Sequence, residues 1–185
     1  MRIKVMATLV GLTLVATGVG AWQRPADATR MSKAEIDAVF ETIGRSVDKQ
    51  VKVADIGNGI NVAVGILHRL EMSSDEGEVQ AMVHHDVAEV YYVVSGSATL
   101  VNGGSLSDTR EFPPQSGVVT ELVGPSGMGT SQAGESRAVG PGDVVIIPIG
   151  VPHGFSRIDE AITYLSIRVD PDQVLPAGYV NPVIR

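Results

Sequence analysis

Three of the four histidines in this 185-residue chain fall in two short stretches that also carry carboxylates. The first runs Val83-His84-His85-Asp86-Val87-Ala88-Glu89. The second runs from Gly142-Asp143 through Pro148-Ile149-Gly150 to Pro152-His153. Imidazole and carboxylate together suit Fe(II), Mn(II), Zn(II) or Ni(II), and an incomplete protein ligand set leaves positions for water or substrate. Such an ion offers Lewis acidity or a polarised water. Other chemistry is poorly served. The chain has no cysteine, which removes disulfides, thiolate ligands and Cys nucleophiles. No serine sits in a Gly-x-Ser-x-Gly elbow. The glycine-rich run Gly124–Gly129 lacks the Lys-Ser/Thr ending of a phosphate loop.

On an extended strand, residues i and i+2 share a face. Val83 and His85 therefore point one way and His84 the other, unless a bulge re-aims it. Glu89 begins the next run, with Tyr91 and Val93 on its face, and Gly96 permits a turn. Both stretches resemble the paired motifs of the cupin superfamily. Gly77, His85, Glu89 and Gly96 fall on the first motif, with Val83 where its first histidine stands. Gly142, Pro148, Gly150 and His153 fall on the second, with Arg157 in place of its closing Asn. A longer form of the first motif, with four residues before the glutamate, fits His84 instead and puts Met82 at the first position.

The resemblance spans roughly residues 61–170 and implies a mainly β fold, a jelly-roll β-barrel with the two motifs facing each other. It also implies a metal site made by His85, Glu89 and His153, with His84 as substitute ligand. Tyr91 and Arg157 share parity with the site and are expected to orient substrate, an Arg inside a barrel needing an anionic partner. One divalent Fe, Mn, Zn or Ni ion is the expected cofactor. Dioxygenase, decarboxylase and isomerase chemistry on a small polar or anionic molecule all fall in range. The alternative is a non-catalytic small-molecule binder with a degenerate metal site. A storage role has little support in so small a chain.

These residues need a scaffold, and the patterning supplies one. Ser32-Lys33-Ala34-Glu35 is a capping box. Ile36, Val39, Phe40, Ile43 and Val47 follow at helical spacing and predict a helix over 33–46. Beyond it the period falls to two. Strands are expected around Val51–Val53 and over 61–70, 79–85, 89–95, 97–102, 143–148, 153–158 and 162–169. His68 shares a face with Val62, Val64 and Ile66 and reads as a cross-strand residue rather than a ligand. Between Gly103 and Gly140 the alternation weakens. This stretch reads as a long loop with one strand at Val118–Val123. The tail over 171–185 reads as extended chain.

Fourteen basic against 21 acidic residues give a net charge of −7, which argues against nucleic acid as a partner. Arg2 and Lys4, the uncharged run Val5–Ala21 and the small-x-small ending at Ala28 read as a secretory signal over 1–28. The expectation is an exported protein, periplasmic or secreted, with no membrane association after cleavage. The domain plan is then a helix and lead-in strand over 29–60, a barrel over 61–170 and the tail. Pairing into a homodimer is expected to protect edge strands.

Overall fold

A computed structural model describes residues 27–73 and 78–185. The expected signal over 1–28 and the Gly77 of the first motif lie almost wholly outside the described residues. Helix α1 (Lys33–Glu41) opens on the capping box: the Ser32 side chain accepts from the Glu35 amide and the Glu35 carboxylate accepts from the Ser32 amide. It stops short of residue 46 at Thr42, followed by Gly44 at φ 54°. Its apolar face, with Val39 fully buried, packs on Val51 and Ile66.

Ten strands follow: β1 (Asp48–Asp55), β2 (Asn61–Arg69), β3 (Met72–Ser73), β4 (Gln80–His84), β5 (Ala88–Asn102), β6 (Ser105–Glu111), β7 (Ser126–Gln132), β8 (Glu135–Val139), β9 (Val144–Ile147) and β10 (His153–Asp170). All named pairings are antiparallel. The strands form two layers that share two long members. One layer runs β1-β2-β10-β5-β9 and uses the second half of β10 and the first half of β5. The other runs β6-β7-β4-β10, with β5 and β8 beyond. The register of β10 on β5 slips four times between Phe155 and Tyr164. Bulges there let both strands turn the corner between layers. Gly96 lies at this corner at φ 80°, where a Cβ would stand 2.2 Å from the Ala161 carbonyl oxygen.

The two strands expected at 89–95 and 97–102 are thus one, as are those at 153–158 and 162–169. The stretch 103–140 is not a loop. It holds β6, β7, β8 and a helical turn at Val118–Val123. Its strands escape the alternation test because β6, Ser-Leu-Ser-Asp-Thr-Arg-Glu, buries no residue. Val118–Val123 turns helical despite its β-branched residues: Gly117 stands at its N-cap, and the Val119 and Thr120 amides and the Thr120 hydroxyl all donate to the Ser116 carbonyl. The main core lies between the layers and centres on Leu67, Val93, Leu100, Ile158, Ile162 and Tyr164. The tail carries one bridge, Lys52 to Val180, and a closing turn at Pro182–Ile184. Among the described residues no helix is long and apolar enough to cross a membrane.

Candidate metal centre

The interior of the barrel opens into a cavity of about 500 Å³. β4 lays Gln80, Met82 and His84 along it, β5 contributes Glu89 and Tyr91, and β10 contributes His153 and Phe155. His84, Glu89 and His153 are all buried, and each offers a ligand atom within 4.8 Å of the other two. Among the described residues this is the one such cluster.

His84, not His85, meets Glu89 and His153. β4 pairs with β7 in unbroken register from Gln80–Thr130 to His84–Ser126, so no bulge is involved. The strand presents its even-numbered face to the cavity. His85 is exposed, its Nε2 2.8 Å from Glu111 Oε2. The parity expected for this strand holds, but its inward face is the opposite one. The longer motif spacing applies, and Met82 takes the first-histidine place. Arg157 is also outside. The bulge between Phe155 and Arg157 reverses the parity that His153 and Phe155 establish, and the guanidinium pairs with Asp159 on the surface. Tyr91 is inside as expected, and its hydroxyl donates to Glu89 Oε2 at 2.9 Å. His68 bridges strands, its Nδ1 2.9 Å from Thr163 Oγ1.

The Glu89 carboxylate has two distinct ends. Oε1 accepts from Ser166 Oγ at 2.6 Å and from Arg168 Nε at 3.3 Å. Oε2 faces the histidines, 3.2 Å from His84 Nε2 and 3.1 Å from His153 Nε2. Burial alone would push this carboxyl up. The close imidazoles of His153 and His84 and the charges around it, Arg168 included, outweigh burial and hold it well below the usual range. Tyr91 is pushed well above the usual phenol value, by burial first and by the Glu89 charge second, so it remains a proton donor.

The outer nitrogens of the two rings fix their tautomers. His153 Nδ1 lies 3.0 Å from the Val151 carbonyl, which can only accept. His84 Nδ1 lies 2.8 Å from Ser126 Oγ. That hydroxyl gives its single proton to the Gly124 carbonyl at 2.9 Å, so it too must accept from the ring. In its neutral form each ring carries its proton on Nδ1 and turns the Nε2 lone pair toward Glu89 Oε2. Burial pushes His84 below its ordinary value, the nearby Glu89 opposing, and so favours the neutral form. Three lone pairs converge, and a cation is what such a convergence accommodates.

The sequence marks Arg168, like Arg157, as an Arg that needs an anionic partner, either a substrate or an internal carboxylate, but does not single out Ser166. Ser166 and Arg168 stand on the inward face of β10, two residues apart, with Tyr164 before them, and all three are buried. Arg168 reaches Glu89 through Nε, Gln50 Oε1 through Nη1 at 2.7 Å and Asp48 through Nη2. The anionic partners of this internal Arg are therefore the chain's own Glu89 and Asp48. Polar residues at alternate positions of a strand flanked by Ile167 and Leu165 were the available signal. Ser126 had none, since its role depends on strand pairing.

The fold is a two-layer jelly-roll barrel, and the Gly-x5-Pro-x-Gly-x2-His and His-x4-Glu-x6-Gly stretches that resemble the cupin motifs meet in its interior. No family model matches the sequence, and no curated protein does. Among solved structures it is similar to BH2720 from Bacillus halodurans, at 13% identity and TM-score 0.45 over 85% of this chain and 92% of that one. It is similar to the DMSP lyase DddQ from Ruegeria pomeroyi, at 14% identity and TM-score 0.40 over 87% and 60%. It is also similar to the EutQ protein of Clostridium difficile, at 11% identity and TM-score 0.33 over 60% and 58%. The matched region is thus less than two thirds of the length of the last two proteins.

Proposed function

We propose that this chain is a metal-dependent small-molecule protein whose His84, Glu89 and His153 hold one divalent transition ion at the inner end of the barrel cavity. The observation that carries this reading is the tautomer locking: both imidazoles are fixed with their Nε2 lone pairs aimed at one carboxylate oxygen. Two nitrogens and one carboxylate fit Fe(II), Mn(II), Ni(II) or Zn(II). When bound, the ion supplies Lewis acidity and a place for a substrate oxygen.

The chain's own residues do the rest. Arg168 and Ser166 keep Glu89 ionised and turn Oε2 inward. Tyr91 holds its proton at Oη, against that same oxygen. The largely apolar lining of the cavity excludes water and selects a small organic molecule. Export of the processed chain remains part of the proposal, on the strength of the charge and apolar pattern over 1–28.

Elemental analysis of protein purified without chelator or affinity tag tests the site. The expected result is close to one divalent ion per chain, lost in His84→Ala and in His153→Ala and kept in His85→Ala. Metal-free protein that stays metal-free after reconstitution overturns the reading. So does loss of the ion in His85→Ala with retention in His84→Ala.

A further inference from the structure

Arg69, the last residue of β2, lines the same cavity as the His84–Glu89–His153 cluster. Its hydrogen-bond and ring partners are neutral, and the Asp48 charge acts on it from beyond ion-pair distance. Nε donates to the Tyr164 hydroxyl at 3.1 Å, and the guanidinium carbon lies 5.6 Å from the centre of the Phe155 ring. Among the described residues no carboxylate comes within ion-pair distance of it. Arg168 is the contrast: a second guanidinium in the same layer, with Glu89, Gln50 and Asp48 each on a different nitrogen. A half-buried guanidinium without a carboxylate in ion-pair distance is costly to keep from water, and an aromatic face offsets a small part of that cost. Its planar fork suits a carboxylate.

Charge balance gives the second argument. Asp48 and Glu89 carry the negative charges at and behind the cavity, and Arg69 and Arg168 the positive ones. The protein groups cancel. A divalent ion added to neutral histidines leaves a surplus of positive charge that an anionic ligand would relieve. Apart from Ser46, Gln80, Tyr91 and the two histidines, the rest of the lining is apolar, with Leu67, Met82, Phe112, Val118 and Leu122 prominent.

We infer that the cavity binds a small organic carboxylate, its apolar body against Met82, Phe112 and Leu122 and its carboxylate on Arg69. The inference rests on the proposed metal site for its charge argument and on Arg69 itself for the position of the anion. Calorimetric titration of the full chain with hexanoate and its neutral analogue hexanamide tests it, with metal content measured on the same samples. Wild-type protein is expected to prefer hexanoate by about tenfold or more. Metal-free wild-type protein is expected to keep that preference. Arg69→Met is expected to erase it with metal content unchanged, and Arg69→Lys to restore part of it. Equal affinity for the two probes, a preference that survives in Arg69→Met, or no hexanoate binding at roughly 10 mM overturns the inference. If Arg69→Met fails to fold, the metal-free wild-type comparison decides. A carboxylate preference in protein that never takes up metal upholds the Arg69 subsite and sinks the metal site alone.

Discussion

Ser126 has one hydroxyl proton, and the Gly124 carbonyl takes it. What remains for His84 is an acceptor, which sets that ring's tautomer without touching the ion site. Ser126→Ala removes the acceptor and leaves a buried Nδ1–H unpaired, free to re-tautomerise. Metal affinity is expected to fall about 10- to 100-fold while folding is kept, the range typical for partners of metal-bound histidines. A competition titration against a chelator reads it, and unchanged affinity would show that the tautomer argument is wrong. Gly65 acts from the other side of the network. A Cβ there would stand 2.8 Å from Arg168 Nη1 and 3.0 Å from Asp48 Oδ1. The fully buried guanidinium is fixed by Gln50 on that nitrogen and by Asp48 and Glu89 on the other two, and so has little room to yield. Gly65→Ala is expected to cost roughly 1–3 kcal/mol, measured by denaturant unfolding, and to weaken metal binding in step. The ligand types were legible in the sequence because Glu89 and His153 sit at fixed distances from Gly96, Pro148 and Gly150. The choice between His84 and His85 was not. Alternation separates two faces of a strand, but only pairing with β7 says which face is inward.

At the scale of the element, α1 is tied to the sheet through its own cap. Glu35 serves the Ser32 amide with Oε2 and Lys52 on β1 with Oε1 at 2.7 Å. The Lys52 hydrogen bond, then the Ser32 contacts, lower this carboxyl from an ordinary 4.5 to about 2. A depressed carboxylate contributes stability that is fully present above the unfolded value and lost as pH falls through the folded one. The melting temperature of wild-type protein should therefore exceed that of Glu35→Gln above about pH 4.5, and the two should converge as pH approaches 2. A gap that persists at the acid end would place the effect in packing instead. The helix start was readable because a capping box is local chemistry. The strands β2, β4 and β9 were readable for a similar reason, each having apolar runs bounded by turn residues. β6 was hidden by its polar composition. The helical turn over Val118–Val123 was hidden because its stability comes from Ser116 and from the cavity wall it completes, neither of which local propensity reports.

The whole molecule is coupled through β5 and β10, each of which belongs to both layers. Glu89 stands on the first half of β5 and His153 at the start of β10, so the cluster ties one layer to the other. His84 adds β4, which pairs with β7 and, through it, β6. An ion held by these three side chains therefore binds the folded barrel and has no comparable site in the unfolded chain. Linkage then makes it stabilise the whole domain rather than a loop. The gain is about 2.7 kcal/mol when free ion stands at 100 times its dissociation constant. For a domain of this length each kcal/mol moves the midpoint by roughly 2–4 °C. Removal of the ion by a chelator is thus expected to lower the melting temperature by roughly 5–11 °C. The transition should stay single, and the original midpoint should return on adding the ion back. His84→Ala should show the lower midpoint with or without chelator, whereas His85→Ala should respond as wild type does. A chelator-insensitive midpoint in metal-loaded protein would mean that the layers close without the ion. The cluster would then be a hydrogen-bonded seam between sheets rather than a metal centre.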